Sequence, residues 1–288
     1  MKMFFEWNIL QEGYGNSALD KFHDKALDLY KSDWQNMVAN DIAPNISWGA
    51  GIKAGKPLIC GLNWGYKHSI QSHHSQLIRN GDESNAEYEA RANAYIDSWS
   101  SKHSAHRKEG GFSPFDKRNP AFDFKFQKNF FKYLENLDLL KSTNTSPKSW
   151  GQMQLIPLRS KNDAHLKTAG GAAMEIKKKA LKEWVPEIIK DLSPPVVVVS
   201  YSGFDLSSGK WGAEKIDFQF SSTRDLPNHK KGTVSQVMGI NVFSMGSTLL
   251  IQVPHASQHA YRINSDLPNY FEPTREDAKK LATLLKKQ

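Results

Sequence analysis

Four short runs of apolar residues constrain this chain most strongly, because each is too short for a helix and each is bounded by glycine, proline or polar residues. They are Pro57 to Asn63 (P-L-I-C-G-L-N), Gln152 to Pro157 (Q-M-Q-L-I-P), Val196 to Tyr201 (V-V-V-V-S-Y) and Thr248 to Val253 (T-L-L-I-Q-V). Runs of this kind suit strands buried on both faces, and the long stretches between them suit helical crossovers, so the pattern predicts an α/β fold on a parallel sheet. A helix is expected near Lys125 to Leu140, with Phe126, Phe130, Phe131, Leu134 and Leu137 on one stripe. A second is expected over Ala172 to Leu192, with Leu181, Trp184, Val185, Ile188, Ile189 and Leu192 on one face and Pro186 as a kink. Thr274 with Asp277 three residues later reads as a capping-box start for a basic C-terminal helix.

Two stretches lie outside that scaffold. Residues 66–119 are polar and histidine-rich, and residues 203–247 hold two candidate extra strands, near Ile216 to Phe220 and Ile240 to Phe243. Long insertions between elements are commonly functional. The expected organisation is a helical extension over residues 1–50 and one domain over residues 51–288 carrying both insertions.

Charge is unevenly placed along the chain. There are 38 basic and 30 acidic residues; the first fifty residues hold 4 and 7 of them, leaving a surplus of +11 on the remainder. A basic body favours a polyanionic partner, because neutralised phosphates release condensed counterions, although a solubility surface explains the same number. The single cysteine, Cys60, excludes a disulfide framework, a four-cysteine zinc site and a cysteine-held iron–sulfur cluster, and suits a reducing compartment. No run approaches the roughly 18 apolar residues of a membrane helix, and Glu6 and Asn8 interrupt the apolar start, so a cytoplasmic protein without membrane contact is expected.

Ligands of open parallel sheets bind beyond the carboxyl ends of the strands. The first run ends in G-L-N-W-G, Gly61 to Gly65, and the last is followed by H-A-S, His255 to Ser257. G-L-N-W-G resembles the first motif of the uracil-DNA glycosylase superfamily, G-x-N-P-G, with Trp64 where proline is usual. H-A-S resembles its last motif, H-P-S, with Ala256 replacing proline. The order of elements agrees from about Pro57 to Arg262. The resemblance implies a three-layer α/β/α sandwich with a short four-stranded parallel sheet, and a monofunctional DNA glycosylase that flips and excises a base to leave an abasic site.

Each matched residue then has a physical task. Cleaving an N-glycosidic bond develops positive charge on the sugar and negative charge on the departing base, so the site must orient a water and stabilise an anion. By resemblance Asn63 holds the water, and His255 donates a hydrogen bond to the base oxygen that gains charge. Gly61, Leu62, Trp64 and Gly65 border the base; Gln154 on the second run is the nearest counterpart of the Asn that reads the Watson–Crick edge. In G-G-F-S-P-F, Phe115 is the preferred stacking aromatic and Phe112 the second choice. Uracil-restricted relatives carry a Tyr where this chain has Gly65, so the wall beside pyrimidine C5 is open here. With the two insertions, that resembles the phage-defence glycosylases that remove glucosylated 5-hydroxymethylcytosine; repair of uracil or mismatched thymine is the alternative. Ser257, Gln258, His259, Tyr261 and Arg262 are expected to meet the minor groove and phosphates, with Lys210, Lys230 and Lys231 as further phosphate contacts. The expected partner is DNA, with no cofactor and no metal.

Two rival classes share these residues. S-Y-S-G-F after the third run, with Asp205 or Asp217 and His255, invites a serine hydrolase, but neither Ser200 nor Ser202 sits in G-x-S-x-G. A catalytically silent DNA-binding module on the same fold is the other. The pairs His73/His74, His103/His106 and His255/His259 lack the carboxylate or cysteine company of a familiar metal site and read as a histidine-rich surface.

Overall fold

The computed structural model describes residues 17–45, 49–62, 74–109, 134–135, 137–160, 163–201, 203–218, 226–228, 233–235, 241–253 and 275–287. In chain order the elements are α1 (Ser17–Ser32), α2 (Trp34–Ala39), β1 (Ala43–Pro44), β2 (Gly49–Ala50), β3 (Leu58–Gly61), α3 (Asn85–Glu109), α4 (Leu139–Ser142), β4 (Gly151–Gln154), β5 (Leu158–Arg159), α5 (Asp163–Ala169), α6 (Gly171–Lys179), α7 (Val185–Leu192), β6 (Val196–Val199), β7 (Glu214–Ile216), β8 (Leu226–Asn228), β9 (Thr233–Ser235), β10 (Asn241–Met245), β11 (Thr248–Gln252) and α8 (Arg275–Lys286). They form two compact units of interleaved sequence: Met1–Gly49, Leu62–Gly111 and Gln154–Asp191 in the first, and Ala50–Gly61, Phe112–Met153 and Leu192–Gln288 in the second.

The second unit is organised by a seven-stranded sheet in the order β2-β4-β3-β6-β11-β10-β7. Strand β6 pairs in parallel with β3 and with β11. The Gly151 N–H donates to the Pro57 carbonyl and that of Ile156 to Leu62, each at 3.0 Å, so β4 advances in step with β3 and is parallel to it. All four expected strands are therefore present and parallel, buried along their whole length. The sheet is nevertheless larger than the four strands expected. Residues 203–247 supply β7 and β10, which extend it antiparallel beyond β11. At the opposite edge β2 adjoins β4, and a side chain at Gly151 would press on the Gly51 oxygen and Ile52 Cα at 3.0 Å. Glycine there lets two backbones approach.

One face of this sheet buries a continuous apolar cluster. Ile59, Val196, Val198, Val242, Leu249 and Ile251 pack with Leu134, Leu137, Leu139 and Trp150, and with Leu281 of α8. The single thiol, Cys60, points to the other face and is fully buried, and burial pushes its pKa well up. Phe126, Phe130 and Phe131 of the expected helix lie outside the described residues. Its described end departs from a single helix: Asp138 takes φ 53°, a left-handed conformation that starts the separate turn α4.

The first unit is mainly helical, with β1 and β5 paired antiparallel in a small sheet of their own. Helix α1 packs on α3 and α6, burying Leu19, Phe22, Ala26 and Tyr30. Tyr30, His74, Tyr95 and Trp99 form an edge-to-face aromatic cluster with centroid separations of 5.2–5.7 Å for the three rings around Trp99. His74, expected at the surface, is buried, with Nδ1 3.1 Å from the Tyr95 hydroxyl. The 25 residues of α3 were not foreseen in the insertion after Tyr66. The helix expected from Ala172 to Leu192 is one track with a π turn over Ala180–Trp184 between α6 and α7. Pro186 supplies the reason: it has no N–H to give and its ring presses on the preceding turn, which widens to accept it.

Candidate active site

The order of the four parallel strands locates the natural binding position. Numbered along the chain, β3, β4, β6 and β11 stand in the sheet as 2-1-3-4. The chain leaves β3 for one side and later returns to the other, so the connections diverge between β3 and β6. Sheets of this topology bind ligands at that crevice, beyond the carboxyl ends. Here the two ends are Gly61, which closes β3, and Ser200, which follows β6.

Hydrogen bonds fix which residues stand abreast. The Ser200 N–H donates to the Cys60 carbonyl at 2.8 Å and that of Val253 to Val199 at 2.8 Å, which sets Gly61, Ser200 and Val253 in one row across the sheet. Gln154, the last residue of β4, is 3% exposed. Leu62 is buried and its carbonyl is held by Ile156.

Of the residues expected in the site, Gly61 closes β3 in the second unit, and Leu62 and Gln154 belong to the first. Lys210 is exposed in the connection from β6 to β7. Asn63, Trp64, Gly65, Phe112, Phe115, Lys230, Lys231, His255, Ser257, Gln258, His259, Tyr261 and Arg262 lie outside the described residues. In sequence, Asn63 follows Gly61 by two positions and His255 follows Val253 by two.

Sequence reasoning missed the anchoring around this edge. Gln252, at the end of β11, is 4% exposed; its Nε2 donates to the carbonyls of Tyr201 and Phe204, each at 3.0 Å, while its Oε1 accepts from Asn241 at 3.3 Å. A polar residue closing an otherwise apolar strand was the available signal. The clamp holds the turn after β6, where Tyr201 stacks on Phe204 (5.7 Å) and Phe204 lies against buried Trp211 (5.7 Å).

The hydrolase arrangement finds little support in this geometry. Ser200 is fully buried. Asp205 accepts from the Ser207 hydroxyl at 2.7 Å and the Ser207 N–H at 2.9 Å, bonds that hold its carboxyl below the usual range and commit both oxygens to a turn. Asp217 lines a surface groove of about 660 Å³ between β7 and α8, with Ile216, Phe218, Glu276, Lys279 and Leu284. That groove flanks the antiparallel edge of the sheet, four strands from β3.

Neither the family models, nor the curated proteins, nor the solved structures contain a match to this chain. Among the described residues no helix is long and apolar enough to cross a membrane.

Proposed function

We propose that this protein is a monofunctional DNA glycosylase of the uracil-DNA glycosylase type, built as an α/β/α sandwich. It turns one nucleotide into a pocket at the end of β3, hydrolyses its N-glycosidic bond and leaves an abasic site. The observation that carries the reading is the 2-1-3-4 order of the four parallel strands, whose crevice opens at Gly61 and therefore at the start of G-L-N-W-G. Gln154, buried at the end of β4, is the amide that would read the edge of a flipped pyrimidine.

In this reading Asn63 orients the attacking water and His255 donates to the base oxygen as it becomes an anion. An amide is no base near neutral pH, so orientation and electrostatics supply most of the rate. The basic surplus after residue 50 holds the phosphates. Gly65 leaves the C5 side of the pyrimidine open, and the substrate we propose is a C5-substituted cytosine of the glucosyl-hydroxymethyl kind found in phage DNA. Uracil or mismatched thymine is the second reading, since an open wall also admits smaller bases.

The test is incubation with DNA carrying uracil, mismatched thymine, 5-hydroxymethylcytosine or its glucosylated form, followed by alkaline cleavage at abasic sites. Breakage at the glucosylated base is the expected result. Intact strands on all four substrates would remove the assignment.

A further inference from the structure

The seven-stranded sheet ends on one side in β7, and among the described residues no strand pairs with the outer edge of β7. Each residue of an antiparallel strand directs its N–H and C=O to one side, alternating along the chain. Every second residue of β7 therefore turns both groups away from β10. Such an edge is a template for another strand, and natural proteins commonly blunt it with lysine. Lys215 stands there, exposed, but Asp217, also exposed, follows two residues later. Continued through Phe218, the strand sets Lys215 and Asp217 on one face and Glu214, Ile216 and Phe218 on the other. Ile216 and Phe218 are only partly buried, packed against the core cluster beside α8.

Alternation limits how a second copy can pair with this edge. Two sheets joined antiparallel are related by a two-fold axis normal to the sheet, and opposed residues share a face, so one residue stands opposite itself. Centred on Glu214, Lys215 or Asp217, the pairing opposes like charges, which is destabilising. Centred on Ile216, it opposes Ile216 to Ile216, each Lys215 to the second copy's Asp217, and each Glu214 to the second copy's Phe218. On the α8 face this carries each Glu214 to the second copy's groove of about 660 Å³, whose walls include Phe218, Lys279 and Leu284. We infer that β7 is a self-association edge, through which two copies of this chain join their sheets in that register. Charge complementarity selects the occupant: a lysine that discourages foreign strands favours its own, because an aspartate stands two positions on. The inference does not depend on the glycosylase reading.

Sedimentation velocity of the full chain from about 1 to about 100 µM tests this, the affinity range of small, transient interfaces. Wild type is expected to pass from monomer to dimer over that range and to dissociate as salt rises, since exposed ion pairs are screened. Lys215→Asp sets aspartate against aspartate, and Asp217→Lys sets lysine against lysine. Each variant alone should dimerise at least about tenfold more weakly, with circular dichroism melts checking that both are folded. Mixed in equal amounts, the two variants carry complementary edges, and their heterodimer should regain the wild-type affinity. A wild-type chain that stays monomeric at about 100 µM would overturn the inference. So would variants that dimerise as well as wild type, or a mixture that shows no recovery. A wild-type dimer indifferent to salt would overturn it as well, a measurement that needs no variant.

Discussion

The Arg91 guanidinium meets the Glu83 carboxylate in two bonds, Nε to Oε1 at 2.8 Å and Nη2 to Oε2 at 2.7 Å. Arg91 also donates to the carbonyls of Gln76 and Ile78, so a residue of α3 fastens the segment before it to the helix. The hydrogen bond from Arg91 is the largest reason that the Glu83 pKa falls from 4.5 to about 2. A carboxyl depressed in the folded state stabilises the fold fully above its unfolded pKa and loses that contribution as the pH falls through the folded value. Urea midpoints of wild type and Glu83→Gln should thus differ at pH 7, and the gap should narrow from about pH 4.5 and close towards pH 2. A gap independent of pH would show that the pair contributes nothing through ionisation.

On the proposed reading, Asn63→Ala should abolish base release while DNA binding persists within a few-fold, because the proposed role is to orient water and the side chain carries no charge. On the same reading, His255→Ala should remove one donor to a developing anion, a loss on the order of 10²–10³ in kcat. Single-turnover release and equilibrium binding, measured on one modified duplex, separate the two effects. Loss of binding in parallel with activity would indicate a structural defect instead.

On the proposed reading, Gly65→Tyr would place a ring beside pyrimidine C5. Release of bulky C5-substituted bases should drop by at least about tenfold relative to uracil, the scale of a steric exclusion of a few kcal/mol. Equal losses on both substrates would remove the open-wall argument.

Gln252→Leu keeps the volume at the end of β11 but strands the Tyr201 and Phe204 carbonyls. Taking a shared donor from two partly buried carbonyls costs about 1–3 kcal/mol, to be read from urea unfolding. The same variant should loosen the turn after β6, seen as faster amide exchange at residues 203–208.

Gly151→Ala sets a Cβ 3.0 Å from the backbone at Gly51 and Ile52, which cannot swing aside as a side chain can. A loss of about 1–3 kcal/mol is expected, the range for overpacked cores. Gly81→Ala meets nothing within 4 Å and serves as the neutral comparison.

How far the sequence revealed this fold depended on the range of the signal. Val196 to Val199 and Thr248 to Gln252 announce themselves because a strand buried on both faces has no polar alternation to obscure it. Which strands become neighbours is decided by crossovers of many residues, and nothing local in Leu58 to Gly61 says that β6 will stand beside it. Helix α3 escaped notice because its buried stripe is short, with Ala92, Ile96 and Trp99 among polar residues. A signal did exist: Ser84 and Glu87 form a reciprocal cap, Glu87 accepting from the Ser84 N–H at 3.0 Å and donating its own N–H to the Ser84 hydroxyl at 3.3 Å. Within the candidate site, the strand-end position of Gly61 was legible, because a buried apolar run stops there; the burial of Gln154 was not, because the register of a short strand leaves its facing open.

The solitary thiol of Cys60 makes the central sheet self-reporting. Buried and held in its protonated form, it should resist alkylation in the native protein and react once β3 separates from β6. The rate of its modification would clock opening of the sheet itself, with no competing cysteine to correct for.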